Sequence, residues 1–120
     1  NVRIKETDPI WSEEWAKKTG LPFDGNGNGQ SDDDAQKVTI SSMENFIQYQ
    51  ELVWQSTADL LESITDADLS KEVKARTGTE QIDESISLHM LGHFNGHRGE
   101  MNFLRGMQGM DPLLVREGTH

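Results

Sequence analysis

Residues 87–106, SLHMLGHFNGHRGEMNFLRG, decide how this chain reads. His89, His93 and His97 recur every fourth residue, with Gly92, Gly96 and Gly99 among them. Apolar residues on either side keep a helical period, so the stretch predicts a long helix from Ile82 to Gly106. At about 100° per residue, His89, His97 and Glu100 fall within roughly 40° of His93. Ile82, Ile86, Leu104 and Met107 share that line, and Met90, Phe94 and Met101 flank it. Asn95, Arg98 and Asn102 fall on the opposite side. The expectation is that the histidines occupy the centre of the buried face and that Asn95, Arg98 and Asn102 meet solvent.

A buried imidazole with an unpaired ring nitrogen costs on the order of 1–3 kcal/mol. Two readings answer that cost. The histidines are core residues bonded to neighbouring carbonyls, or a divalent cation satisfies two of them together. Residues i and i+4 are about 6 Å apart along the axis and can converge on one ion, whereas His89 and His97, about 12 Å apart, converge poorly. A metal therefore takes one adjacent pair, His89 with His93 or His93 with His97. Glycine costs roughly 1 kcal/mol against alanine inside a helix. Three glycines here predict a compensating close approach of a neighbouring helix along the Gly92–Gly96 edge.

Working outward, a second long helix is expected from near Ser41 to near Thr65. Ser41 and Glu44 form a capping box at its start. Phe46, Tyr49, Val53, Leu60 and Ile64 form its inward stripe, widened by Ile47, Trp54 and Leu61. Earlier, TDPIWSEEWAKKTGLP predicts a short helix with Asp8 as N-cap, Pro9 at the first position and Gly20 just past the end. Trp11 and Trp15, four apart, would share a face. Residues 24–37 read as an acidic loop rich in glycine and asparagine. Asp24, Asn26, Asn28 and Gly29 match the opening of a calcium loop, but its twelfth position is Ala35 instead of the bidentate glutamate. The polar stretch KEVKARTGTEQ reads as a loop, with a short extended piece around Val73. Gly109 and Pro112 predict an irregular tail.

The chain has 120 residues, the size of a single domain, and a net charge of −10. That charge disfavours nucleic acid or an anionic membrane as partner. Apolar residues make up 33% and there is no cysteine, so disulfides and thiolate ligands are excluded. A cysteine-free chain with no membrane-length apolar run fits a cytoplasmic protein, which is the expected location.

LHMLGHFNGHRGEMNFLRGMQGMDPL resembles the last helix of the DinB-like superfamily, which carries H-x-x-x-H, a glycine–acid or glycine–glutamine pair and a leucine–arginine–glycine end. Here these are His93, His97, Gly99–Glu100 and Leu104–Arg105–Gly106. IWSEEWAKKTGLPFDGNGNGQ is similar to that family's connection between its second and third helices. SSMENFIQYQELVWQSTADLLESITDADL is similar to its third helix and the turn after it. The resemblance implies an all-α, up-and-down four-helix bundle, often a homodimer, to which this chain supplies the last two long helices and a short N-terminal one. It also implies a divalent metal (zinc, nickel or iron) held by three histidines, two from the last helix and one from the second. Carried over, the metal ligands are His93 and His97; His89 matches no ligand position and lines the pocket. The first two helices have no counterpart, and the chain starts at Asn1, so the expectation is that an N-terminal segment with the third histidine is missing. Glu100 is then the best internal substitute ligand, with His120 behind it.

The family includes thiol-dependent transferases, thiol-dependent isomerases and hydrolases. The implied function is a metal-dependent transferase or hydrolase acting on a small molecule, with a low-molecular-weight thiol as candidate cofactor. Glu100 is its candidate catalytic residue, as base or orienter of a ligand; it also reads as a solvated carboxylate at the pocket rim. Arg105 reads as an anion holder or as a partner of the helix dipole. The alternative function is a non-catalytic, dimerising helical module, with Leu88 and Leu91 at the contact.

Overall fold

The computed structural model describes residue 4 and residues 6–25, 27–75 and 77–112. It is mostly helical with one two-stranded sheet, and it divides into two compact units, residues 1–64 and 65–120. Among the described residues no helix is long and apolar enough to cross a membrane.

In the first unit, α1 spans Glu13–Thr19. Its N-cap is Ser12, whose hydroxyl accepts from the Trp15 N–H at 3.4 Å. The expected start at Asp8–Pro9 is corrected to Ser12, which puts Trp11 ahead of the helix. There its indole N–H donates to the Phe23 carbonyl (3.0 Å), and its ring packs on Tyr49 with centroids 5.1 Å apart. Trp15 reaches the same tyrosine at 5.7 Å, so one ring gathers both tryptophans. Glu13 and Glu14 open the helix and Lys17 and Lys18 close it, as the dipole favours.

Gly20 ends α1 as expected, at φ 80°, with its N–H on the Ala16 carbonyl at 2.8 Å. Two bonds then tie this end to residues 41–45, further along the chain. Ser41 N donates to Thr19 O at 2.7 Å, and Asn45 Nδ2 donates to Lys18 O at 3.0 Å. Thr19 is fully buried, and its hydroxyl donates to the Trp15 carbonyl at 2.8 Å.

A short α2, Asp32–Ala35, interrupts the acidic loop, capped by Ser31 on Asp34 N. Three aspartates in its first turn suit a helix N-terminus and explain why an apparently flexible stretch contains a turn of helix. α3 spans Met43–Ser63. Its N-cap is Ser42 instead of the expected Ser41, whose backbone is engaged by Thr19. Phe46, Tyr49, Val53 and Leu60 turn inward as expected, with Leu60 completely buried. Ile47, Trp54 and Leu61 are corrected to exposed positions.

The second unit begins with α4, Asp66–Leu69, where the Asp68 carboxylate accepts from the Thr65 N–H (2.9 Å) and hydroxyl (2.6 Å). Strands β1, Glu72–Lys74, and β2, Thr79–Gln81, then pair antiparallel with Val73 opposite Glu80. Strand β1 falls on the short extended piece expected around Val73, and β2 takes the place of expected loop; Gly78 at φ 80° allows the turn, where Ala75 N donates to Gly78 O at 3.0 Å. All-α is therefore too strong a description, although the sheet is small.

One continuous helical stretch follows: α5, Ile82–Ser85; a π-helical segment, Ile86–Gly92; and α6, His93–Met107. Ile82 and Ser85 are buried near its start. The stretch matches the expected 82–106 within a residue, but a π turn carries about one extra residue and shifts the phase by on the order of 100°. The tail as far as residue 112 is irregular, and residues beyond it lie outside the described part.

Candidate metal centre

On α6 the imidazoles of His93 and His97 meet. Their Nε2 atoms are 2.9 Å apart, and the rings stand 4.4 Å apart at 86°. Spacing by one helical turn brings them together on one face. His97 Nδ1 is 2.8 Å from Glu100 Oε2. A carboxylate there draws the ring proton to Nδ1, and the His97 Nε2 lone pair is left toward His93. With that tautomer of His97, the 2.9 Å contact takes its proton from the His93 Nε2.

With metal–nitrogen bonds of about 2.0–2.1 Å, donors 2.9 Å apart correspond to an angle of about 90° at the ion. Tetrahedral coordination needs about 3.3 Å, a change of a few tenths of an ångström. Two imidazoles on one turn thus fit a divalent cation in donor type and spacing, and Glu100 supplies the carboxylate that metal-binding histidines use to fix their ring. Glu100 engages the far side of His97, away from the Nε2 pair. Among the described residues no group of three or more His, Asp or Glu side chains is placed to hold one metal ion.

His89 lies apart from the pair. Its Nε2 is 3.0 Å from Glu80 Oε2 on β2, because the π segment turns the preceding residues out of phase with α6. Of the two pairings the sequence left open, the structure forms His93–His97.

The expected buried histidine face is corrected. His89, His93 and His97 are exposed, and no residue of α6 is buried. Phe94, Met101, Leu104 and Met107 on the apolar side are exposed too. The less exposed positions are Arg98, Asn102 and Arg105, the side expected to meet solvent at the first two. Arg105 Nε donates to the Asp111 carbonyl at 2.8 Å, where the chain folds back after α6. The expected close approach along the glycine edge is also absent among the described residues. A Cβ on Gly96 or Gly99 would meet nothing within 4 Å, and one on Gly92 would meet only the Ser87 carbonyl, at 3.3 Å.

Asn26 of the calcium-like stretch and His120 lie outside the described residues. The neighbouring Asp24, Asn28 and Gly29 line a cavity in the first unit that the sequence reading missed. It has no local motif, because its aromatic walls come from segments far apart in the chain. No protein-family model, curated protein or solved structure matches this chain.

Proposed function

We propose that this chain is a divalent-metal-dependent enzyme of the DinB-like kind, a transferase or hydrolase acting on a small molecule, with His93 and His97 as metal ligands. The observation that carries the reading is the 2.9 Å approach of the two Nε2 atoms with Glu100 on the His97 Nδ1. The up-and-down bundle, the homodimer and the thiol cofactor belong to the same proposal and rest on the resemblance. A metal held there lowers the pKa of a bound water or thiol and polarises a substrate oxygen. Ligation through Nε2 would need the neutral His93 ring with its proton on Nδ1. Glu100 keeps the His97 ring in its binding tautomer, which makes it a positioning residue for that ligand. Two imidazoles leave the remaining coordination positions to water, substrate or a further protein group.

The test is metal content of the purified protein beside His93→Ala and His97→Ala, before and after chelation and reloading with zinc, nickel or iron. The wild type is expected to retain and regain the ion and both variants to lose it. Glu100→Gln should weaken binding about tenfold, the lower end of the range for such partners because the carboxylate is largely exposed. Equal, negligible metal in all forms overturns the proposal.

The exposure of Leu88 and Leu91, each more than 60%, favours a second reading as a non-catalytic dimerising module. Such a module keeps its oligomeric mass and stability when chelator is added.

A further inference from the structure

The first unit holds a cavity of about 780 Å³, within the usual range for small-molecule sites. Trp11 and Tyr49 form an aromatic corner, their planes meeting at 69°. Leu21, Pro22 and Val38 add apolar wall, and Gly25, Gly27 and Gly29 complete the lining. None of the three histidines discussed above lines it.

The chemistry of this lining is one-sided. Asp24 is the charged side chain among the lining residues, and it makes no ion pair with a described lysine or arginine. The Trp11 N–H is already spent on the Phe23 carbonyl, so its indole offers the cavity only ring surface. Aromatic faces attract cations through the ring quadrupole, and a carboxylate adds to that attraction. The same cluster shows the preference: Lys18 Nζ stands 4.8 Å from the centroid of Trp15, which packs on the other tryptophan's tyrosine. A net charge of −10 repels anions and concentrates cations near the surface. A bare calcium ion is a poor fit, since it needs six to eight oxygen ligands and the lining's side chains supply one carboxylate and the amide oxygens of Asn28 and Gln30.

We propose that the Trp11–Tyr49–Asp24 cavity is a binding site for a small organic cation, an ammonium or quaternary ammonium group carried on an apolar body. None of the residues lining the site belongs to the histidine pair, and the proposal stands whether or not that pair holds metal.

Choline and its neutral isostere 3,3-dimethylbutan-1-ol have the same shape and differ in charge. Each is titrated into the whole chain by calorimetry, with chelator present, and the Trp11 indole N–H resonance is followed by NMR. Choline is expected to bind saturably with a Kd of about 1 mM or tighter, and the alcohol at least tenfold more weakly. The Trp11 resonance should shift with choline along the same isotherm. Asp24→Asn, at an exposed position that leaves the fold intact, should weaken choline about tenfold and leave the alcohol unchanged. The proposal is overturned by equal affinity for both compounds in the wild type, by no saturable binding up to about 50 mM choline, or by an unmoved Trp11 resonance. Unchanged choline affinity in Asp24→Asn overturns it as well.

Discussion

Replacing Gly20 by alanine perturbs the junction between α1 and α3 in a way the geometry makes calculable. Gly20 sits at φ 80°, where an L side chain costs about 1–2 kcal/mol. Part of that, about 0.4–1 kcal/mol, is offset because alanine restricts the unfolded chain. The added Cβ would also lie 2.7 Å from the Ser41 Cβ and 3.0 Å from its backbone nitrogen. Restoring ordinary contact requires Ser41 to move by roughly 1 Å, which takes its N–H out of hydrogen-bond range of the Thr19 carbonyl. Losing that bond and repacking the site add about 1–3 kcal/mol. The total expected for Gly20→Ala is about 2–4 kcal/mol.

Gly29 provides the control within the same unit, since its φ is 79° and a Cβ there meets nothing within 4 Å. Gly29→Ala should therefore cost about 1 kcal/mol or less. Urea unfolding followed by tryptophan fluorescence measures both, and the difference should move the midpoint by about 1 M. Adding Ser41→Gly to Gly20→Ala removes the overlapping side chain and should recover part of the loss. Equal destabilisation by Gly20→Ala and Gly29→Ala would refute the reasoning, because it leaves the contact with Ser41 without effect.

Two further predictions follow from local geometry. Ser12→Ala should destabilise the first unit by about 1 kcal/mol through loss of the cap, whereas Asp8→Ala should stay within about 0.5 kcal/mol of wild type in the same unfolding assay. Tyr49 is the chain's one tyrosine, so the phenolate absorbance reports it alone. Burial holds its pKa above the ordinary 10.0. A folded value above the unfolded one means that this stabilisation is complete below pH 10.0 and is lost as pH rises through the folded value. The titration midpoint should accordingly fall when the protein is unfolded in urea, and a midpoint that stays put removes the tyrosine from the packed cluster.

The parts of the fold legible in the sequence are those written locally. Phe46, Tyr49, Val53 and Leu60 repeat at helical spacing, so α3 and its inward face follow from periodicity. Gly20 marks the end of α1 because positive φ suits it alone. The start of α1 was not legible, since Asp8 and Ser12 are both competent caps and the choice falls to Trp11, which is drawn to Phe23 and Tyr49. The hairpin carries one apolar residue, Val73, in two three-residue strands, enough to mark an extended piece there and too little to reveal its partner strand. The meeting of His93 and His97 follows from their spacing. Their exposure and the separation of His89 do not, because both depend on the phase slip in the π segment and on which face the fold covers.

That slip has a consequence for how the two imidazole–carboxylate contacts are governed. His89 answers to Glu80 across the hairpin, and His97 answers to Glu100 within its own helix. The widened turn, which holds His89 and ends at Gly92, works as a torsional coupling. Shortening it by a single residue would rewind the upstream half and swing His89 off its strand partner, while the downstream duet kept its geometry.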